Sequence, residues 1–145
     1  MITHNSLLLA SVATLALASA ALADGAQMQS AGALAFDNGN VLFVGDAKEG
    51  VVHAFDFGES GFDDQAEYQL GRAQTFEGRT IFNGLDQEIA ALLGVAAEDI
   101  GINDMVVHKP SKQIILSVHR GLGPDAEPVL IKINNGAVEL VDLDT

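Results

Sequence analysis

The stretch from Ile102 to Leu143, INDMVVHKPSKQIILSVHRGLGPDAEPVLIKINNGAVELVDL, decides the fold. It holds four runs rich in Val, Ile and Leu: Asp104 to His108, Gln113 to His119, Pro128 to Asn134 and Ala137 to Leu143. Turn residues bound each run, namely Lys109-Pro110-Ser111-Lys112, Arg120 to Glu127 and Asn134-Asn135-Gly136, so the pattern predicts four short strands. Asn135-Gly136 tolerates the positive φ of a tight primed turn, which makes the last two runs antiparallel neighbours. Val129, Ile131 and Ile133 alternate with Leu130, Lys132 and Asn134, and Val138, Leu140 and Leu143 sit among Glu139 and Asp142. One face is therefore apolar and the other mixed. Four short strands cannot bury an apolar face by themselves, so the meander needs a packing partner.

The partner stands earlier in the chain. Ser30 to Phe57, SAGALAFDNGNVLFVGDAKEGVVHAFDF, aligns with the first three runs: Ala33-Leu34-Ala35-Phe36 with Met105-Val106-Val107-His108, Val41-Leu42-Phe43-Val44 with Ile114-Ile115-Leu116-Ser117, and Val51 to Asp56 with Pro128 to Ile133. Repetition of a unit of three to four strands is the mark of repeat and propeller architectures. The copies lie about 72 to 77 residues apart, against roughly 40 to 50 for one blade, so an insertion separates them. The expected fold is all-β with one inserted helix, built as two four-stranded antiparallel propeller-like blades. Two blades cannot close a ring, so the chain is expected to be part of a larger propeller.

Gly58 to Gly84 is the insertion, within which Glu67-Tyr68-Gln69-Leu70 is expected to supply the fourth strand of the first blade. A helix follows. Leu85, Ile89, Leu92 and Leu93 fall on one face, Asp86 and Glu88 stand in the first turn where the macrodipole favours them, Asn83 can cap and Gly94 can end it. Such a helix is expected to protect a sheet edge or to act as a lid, edge protection being the simpler role. In round numbers the organisation is a signal peptide at 1–23 and a propeller-like domain at 24–145, with blade one at about 30–70, the insertion at about 71–100 and blade two at about 102–145.

The signal segment rests on the apolar core Leu7 to Leu17 and the small residues of Ala21-Leu22-Ala23 before Asp24. The run is rich in Ala, Ser and Thr and lacks a basic stop-transfer flank, so no permanent membrane span is expected. Export to the periplasm or the extracellular space follows. The chain has no cysteine, so core burial rather than disulfides must hold the fold. Its 145 residues carry 20 acids against 7 bases, a formal net charge of −13, with no acidic run longer than two residues. That is a solvated acidic surface, and it excludes nucleic acid as a partner, because a phosphate backbone needs a basic face.

Local chemistry is sparse. Asp37-Asn38-Gly39-Asn40 has the look of part of a calcium loop but lacks the later acidic ligands, and reads as a hairpin turn. Gly45 to Gly50 is a polar turn, and His53, with no second His or Cys at ligand spacing, reads as a partly buried or edge histidine. His119 and Arg120 precede a glycine-containing loop and form a candidate ligand-binding pair for an anionic group, with a local salt bridge from Arg120 to Asp125 or Glu127 as the plainer role. No Gly-x-Ser-x-Gly, His-Glu-x-x-His, phosphate loop or cysteine nucleophile is present, so no catalytic motif supports hydrolase, kinase or thiol chemistry.

Ala33 to Asp56, with its Asp-Asn-Gly turn, its second strand ending Gly-Asp and its third ending Phe-Asp, resembles an NHL-type repeat. Asn103-Asp104-Met105-Val106-Val107-His108 is similar to the Asn-Asp strand opening of gluconolactonase and regucalcin-like propellers. The resemblance spans about half of the mature chain, and the chain departs from the pattern in its helical insertion and in His119-Arg120 where an acidic residue often stands. By resemblance, Asn103 with Asp104 beside it is the candidate for a divalent cation, the only cofactor implied; a turn cap is the plain alternative. The expected function is an exported binding or scaffold domain for a protein or small-molecule ligand. The alternatives are a metal-dependent lactonase-like hydrolase and a structural protein that self-associates through exposed blade edges.

Overall fold

The computed structural model describes residues 28–59, 61–62, 74–134 and 136–143. The expected signal segment, the strand at Glu67 to Leu70 and Asn135 of the last hairpin turn lie outside the described residues. The protein is mostly β. A three-stranded antiparallel sheet is formed by β1 (Leu34–Phe36), β2 (Val41–Asp46) and β3 (Val51–Asp56) in sequence order. A short hairpin, β4 (Gln74–Phe76) and β5 (Arg79–Ile81), precedes the helix α1 (Leu85–Leu93). The chain then builds a four-stranded antiparallel meander from β6 (Ile100–Val107), β7 (Ile114–Arg120), β8 (Glu127–Asn134) and β9 (Ala137–Leu140).

The meander is covered on both faces. Ile115, Leu130 and the partly buried Val106 pack against Leu42, Val44, Ala31 and Phe57 of the first sheet and its flanks. On the opposite face Ile114, Leu116, Val118, Ile131 and Ile133 surround Ile89 of α1, whose side chain is fully buried. This explains why β7 reads Ile-Ile-Leu-Ser-Val without alternation: a central strand buried on two sides has no solvent face to mark. Leu130, which the alternation assigns to the mixed face, is buried under the first sheet. The helix therefore covers a sheet face rather than an edge. The helix reaches both outer strands, β6 and β9, yet Ile102, Met105 and Leu140 on the same face stay exposed.

Two local expectations are corrected. The helix is capped by Gly84 in the left-handed conformation, φ 75°, and not by Asn83, which stands one residue too early; no side chain caps it. Gly94 ends it as expected, with φ 69° and its N–H on the Ala90 carbonyl. Leu92 is exposed, and Ala90 takes its place in the buried face. The β1–β2 hairpin turn expected at Asp37 to Asn40 is present, but without positive φ at Gly39. Instead Asp37 Oδ1 accepts the N–H groups of Gly39 at 2.7 Å and Val41 at 3.1 Å, which closes the turn through a side chain. The β4–β5 hairpin does use a primed turn, with Glu77 at φ 48° and Gly78 at φ 75°.

At the hairpin end of β6 and β7 the two sheets are tied by His108, which is buried. Its Nε2–H donates to Asn40 Oδ1 at 2.9 Å and its Nδ1 accepts from the Ser111 hydroxyl at 2.7 Å. Phe62 stacks on the imidazole at 3.7 Å and Phe36 meets it edge-on at 5.1 Å. Burial pushes the His108 pKa below the ordinary imidazole value, outweighing Gly39 and Asp37 nearby, which favour the charged form. The unfolded chain thus takes up a proton near pH 6.5 that the folded chain accepts only at lower pH, so stability falls as the pH drops through that window. Urea unfolding at about pH 7 and about pH 5 tests this: the wild type should lose more stability between the two than His108→Asn does, whereas equal losses would contradict it.

Candidate functional site

At the other end of β7 the sheets part into a cleft, and a β-bulge in β6 builds one wall. Ile102 pairs with Val118 and Asp104 with Ser117, so Asn103 is an extra residue between two neighbours on β7. An extra residue breaks the alternation of sides. As a result Asn103 and Asp104, consecutive in sequence, both reach toward the first sheet. Asn103 Nδ2 donates to the Ala31 carbonyl at 2.8 Å, and Asp104 Oδ2 accepts the Leu34 N–H at 2.8 Å. The buried Ser117 hydroxyl donates to the Gly32 carbonyl between them at 2.7 Å. Three side chains of the second sheet thus hold the segment that leads into β1.

This anchoring orients His119. The Asn103 amide nitrogen faces Ala31, so its oxygen faces the ring, and His119 Nδ1–H donates to it at 3.1 Å. In the neutral imidazole the lone pair then lies on Nε2. The ring lies over Gly101 across the β6–β7 pair, where an added Cβ would overlap the imidazole. Glycine at 101 is therefore a condition for this histidine position. Arg120, the next residue, goes to the opposite side of the strand: its Nη2 pairs with Glu127 Oε2 at 2.7 Å and its Nη1 reaches the Leu93 carbonyl at the end of α1. The structure separates His119 from Arg120 and brings His119 together with Asn103.

The opposite wall comes from the first sheet. Asp46, fully buried at the end of β2, accepts the Ser30 hydroxyl at 2.7 Å and the N–H groups of Gln29, Lys48 and Glu49 at 2.7, 3.1 and 3.1 Å. Burial alone would raise its pKa; the Ser30 hydroxyl and the Glu49 and Gln29 N–H groups outweigh it and hold the carboxyl well below the usual range. Lys48 Nζ then reaches across and donates to the Pro124 carbonyl in the β7–β8 loop at 2.8 Å. The cleft is open to solvent, has a volume of about 320 Å³ and is lined by Ser30, Ala31, Lys48, Asn103, His119 and Pro128, among others. That is the lower end of the range for small-ligand pockets.

The cleft presents one oriented imidazole and one ammonium over a floor of small and apolar residues. Ser30 Oγ donates its proton to Asp46, not to His119, so no activated hydroxyl faces the imidazole. Asn103 and Asp104, the candidate cation ligands, direct their polar atoms at the backbone of the β1 segment. Among the described residues, the one convergent set of three His, Asp or Glu side chains lies elsewhere, on the β2–β3 hairpin. Sequence reading passed over Ser30, Asp46 and Lys48. The signal that was there is the Asp-x-Lys spacing in the β2–β3 turn, where an Asp at a strand end can hold the turn amides.

Removing the Asp104 carboxylate leaves the Leu34 N–H without its acceptor. Asp104→Ala should cost about 1–3 kcal/mol in urea unfolding, and Asp125→Ala, an exposed acid of the β7–β8 loop, less than about 0.5 kcal/mol. Equal effects would remove Asp104 as an anchor.

No family model, curated protein or solved structure matches this chain at a significant level.

Proposed function

We propose that the chain is an exported, propeller-like binding module that takes a small ligand with an anionic group into the cleft between its two sheets. The observation that carries this reading is the pairing of an oriented His119 with the Lys48 ammonium in one walled cleft of about 320 Å³. A compact anion can pair with Lys48, whose ammonium keeps a third N–H beyond those directed at the Pro124 and Ala126 carbonyls, while a ligand hydroxyl or amine donates to His119 Nε2. The general field of an acidic chain repels anions, so the affinity must come from these short-range contacts, and a small ligand suits that better than a polyanion.

The propeller-like reading is supported by the placement of the two units. β1 and β6, the first strand of each meander, lie side by side and are linked through Asp104 and Leu34, as innermost strands do around a propeller axis. α1 occupies the far face of the second sheet, so further blades would have to add on the open face of the first, where Ala35, Phe43, Val52 and Ala54 are exposed. A lactonase-like site would need Asn103 and Asp104 to turn their oxygens to a cation, and their hydrogen bonds to the β1 segment favour the binding reading instead.

A heteronuclear NMR titration with acetate, citrate and inorganic phosphate tests the proposal. At least one of the three should shift the His119 imidazole signals together with the amides of Ala31 and Lys48. His119→Ala and Lys48→Met should each weaken that binding by about tenfold or more. Shifts scattered over the other lysines, with His119 unmoved, would contradict it.

A further inference from the structure

The β2–β3 hairpin carries a cluster in which Asp46, which braces the cleft wall, is joined by two residues that the cleft does not use, Glu49 and His53. Asp46 ends β2, Glu49 lies in the turn and His53 is in β3, where it pairs across the strands with Val44. His53 Nε2 lies 3.5 Å from Asp46 Oδ2 and 3.9 Å from Glu49 Oε2, and the three groups offer ligand atoms all within 4.8 Å of one another. The Nε2 atom is buried and has no hydrogen-bond partner. A buried ring nitrogen facing two carboxylates without a bond to either requires an explanation.

We propose that Asp46, Glu49 and His53 bind one borderline divalent cation of the zinc type. Zinc bonds of about 2.0–2.1 Å in a tetrahedron place neighbouring ligand atoms roughly 3.3–3.4 Å apart, close to the 3.5 Å His53–Asp46 separation, and a swing of Glu49 closes the two remaining edges, 3.9 Å to His53 and no more than 4.8 Å to Asp46. Glu49 has the freedom to make that swing, since its side chain is 47% exposed while that of Asp46 is fully buried. One nitrogen and two carboxylate oxygens suit zinc or a neighbouring transition metal; calcium, which takes six to eight oxygens, finds too few. Three protein ligands leave a fourth position for water or an exogenous group.

The surroundings are those of a prepared ligand set. Asp46 Oδ1 accepts three hydrogen bonds, from Ser30, Lys48 and Glu49, whereas Oδ2, the oxygen nearest His53, accepts only the Gln29 N–H and keeps a lone pair. Hydrogen bonds of this kind orient a metal-ligating carboxylate. The His53 ring is held by stacking on Phe55, at 6.1 Å between centroids. Because Lys48 lies between two of the ligands, a bound ion would also fix the turn that sends the Lys48 ammonium to the cleft.

Equilibrium dialysis of the purified protein against zinc, read by elemental mass spectrometry, tests the site, with cobalt(II) as a spectroscopic probe of tetrahedral nitrogen and oxygen ligation. One equivalent of zinc should bind, and excess calcium should not displace it. His53→Ala and Glu49→Gln leave the hydrogen bonds to Asp46 in place and should each weaken zinc binding by at least about tenfold, while His119→Ala binds as the wild type does. Absence of bound zinc would overturn the proposal and leave His53, when protonated, as an ion-pair partner of the two carboxylates. Equal binding by His53→Ala would overturn it as well.

Discussion

The β-bulge at Asn103 is the constraint on which the rest of the structure depends. Without it Asn103 and Asp104 would fall on opposite faces of β6, and only one of them could meet the first sheet. With it, an amide and a carboxylate act together on the segment from Ala31 to Leu34, one on a carbonyl and the other on an N–H. The Leu34 N–H would otherwise be an unpaired donor at the open side of an edge strand, where exposed backbone groups invite pairing with other chains. A side-chain carboxylate satisfies it and joins the two sheets in the same step.

Apolar burial supplies the larger part of the attraction between the layers, but it is not directional. Leu42 and Val44 would pack against Ile115 and Leu130 in more than one relative placement. The polar contacts select one: Ser117 on Gly32, Asn103 on Ala31, Asp104 on Leu34 and, at the far end, His108 on Asn40. Asp46 does the same within the first sheet by holding Gln29 and Ser30 against the β2–β3 turn. The cleft is the gap left once these anchors are set, and its one oriented imidazole is a by-product of the same bulge, because Asn103 bonds Ala31 with one end of its amide and His119 with the other.

Much of this fold is legible in the sequence because strands between turns announce themselves. The runs at Val41–Asp46, Val51–Asp56, Ile114–Arg120 and Glu127–Asn134 stand where their Val and Ile content and flanking Gly, Pro and Asn place them. The helix is readable from its acids and its terminal Gly94, but its position is not: α1 covers a sheet face, and nothing in a nine-residue period says which surface it will meet. Asn103-Asp104 draws attention in the sequence for a reason unlike the one it has in space. A bulge is a property of register between two strands, and register is visible only once the partner strand is known. Asp46 was missed for a related reason, since two of its four hydrogen bonds come from Gln29 and Ser30, which meet it in space alone; only those from Lys48 and Glu49 are local in sequence. The β4–β5 hairpin escaped because its primed turn is Glu77-Gly78, where a non-glycine residue takes positive φ.

The claim that the bulge carboxylate joins the two sheets can be tested at a single atom. Leu34 N–H points away from β2, and in a free edge strand such an amide exchanges with solvent rapidly. Native-state hydrogen exchange followed by NMR should find it protected to the same order as the amides of the buried Leu42 and Val44, because Asp104 Oδ2 holds it. Exchange at the rate of an exposed, unbonded amide would contradict the account, and with it the placement of the cleft that the anchor defines.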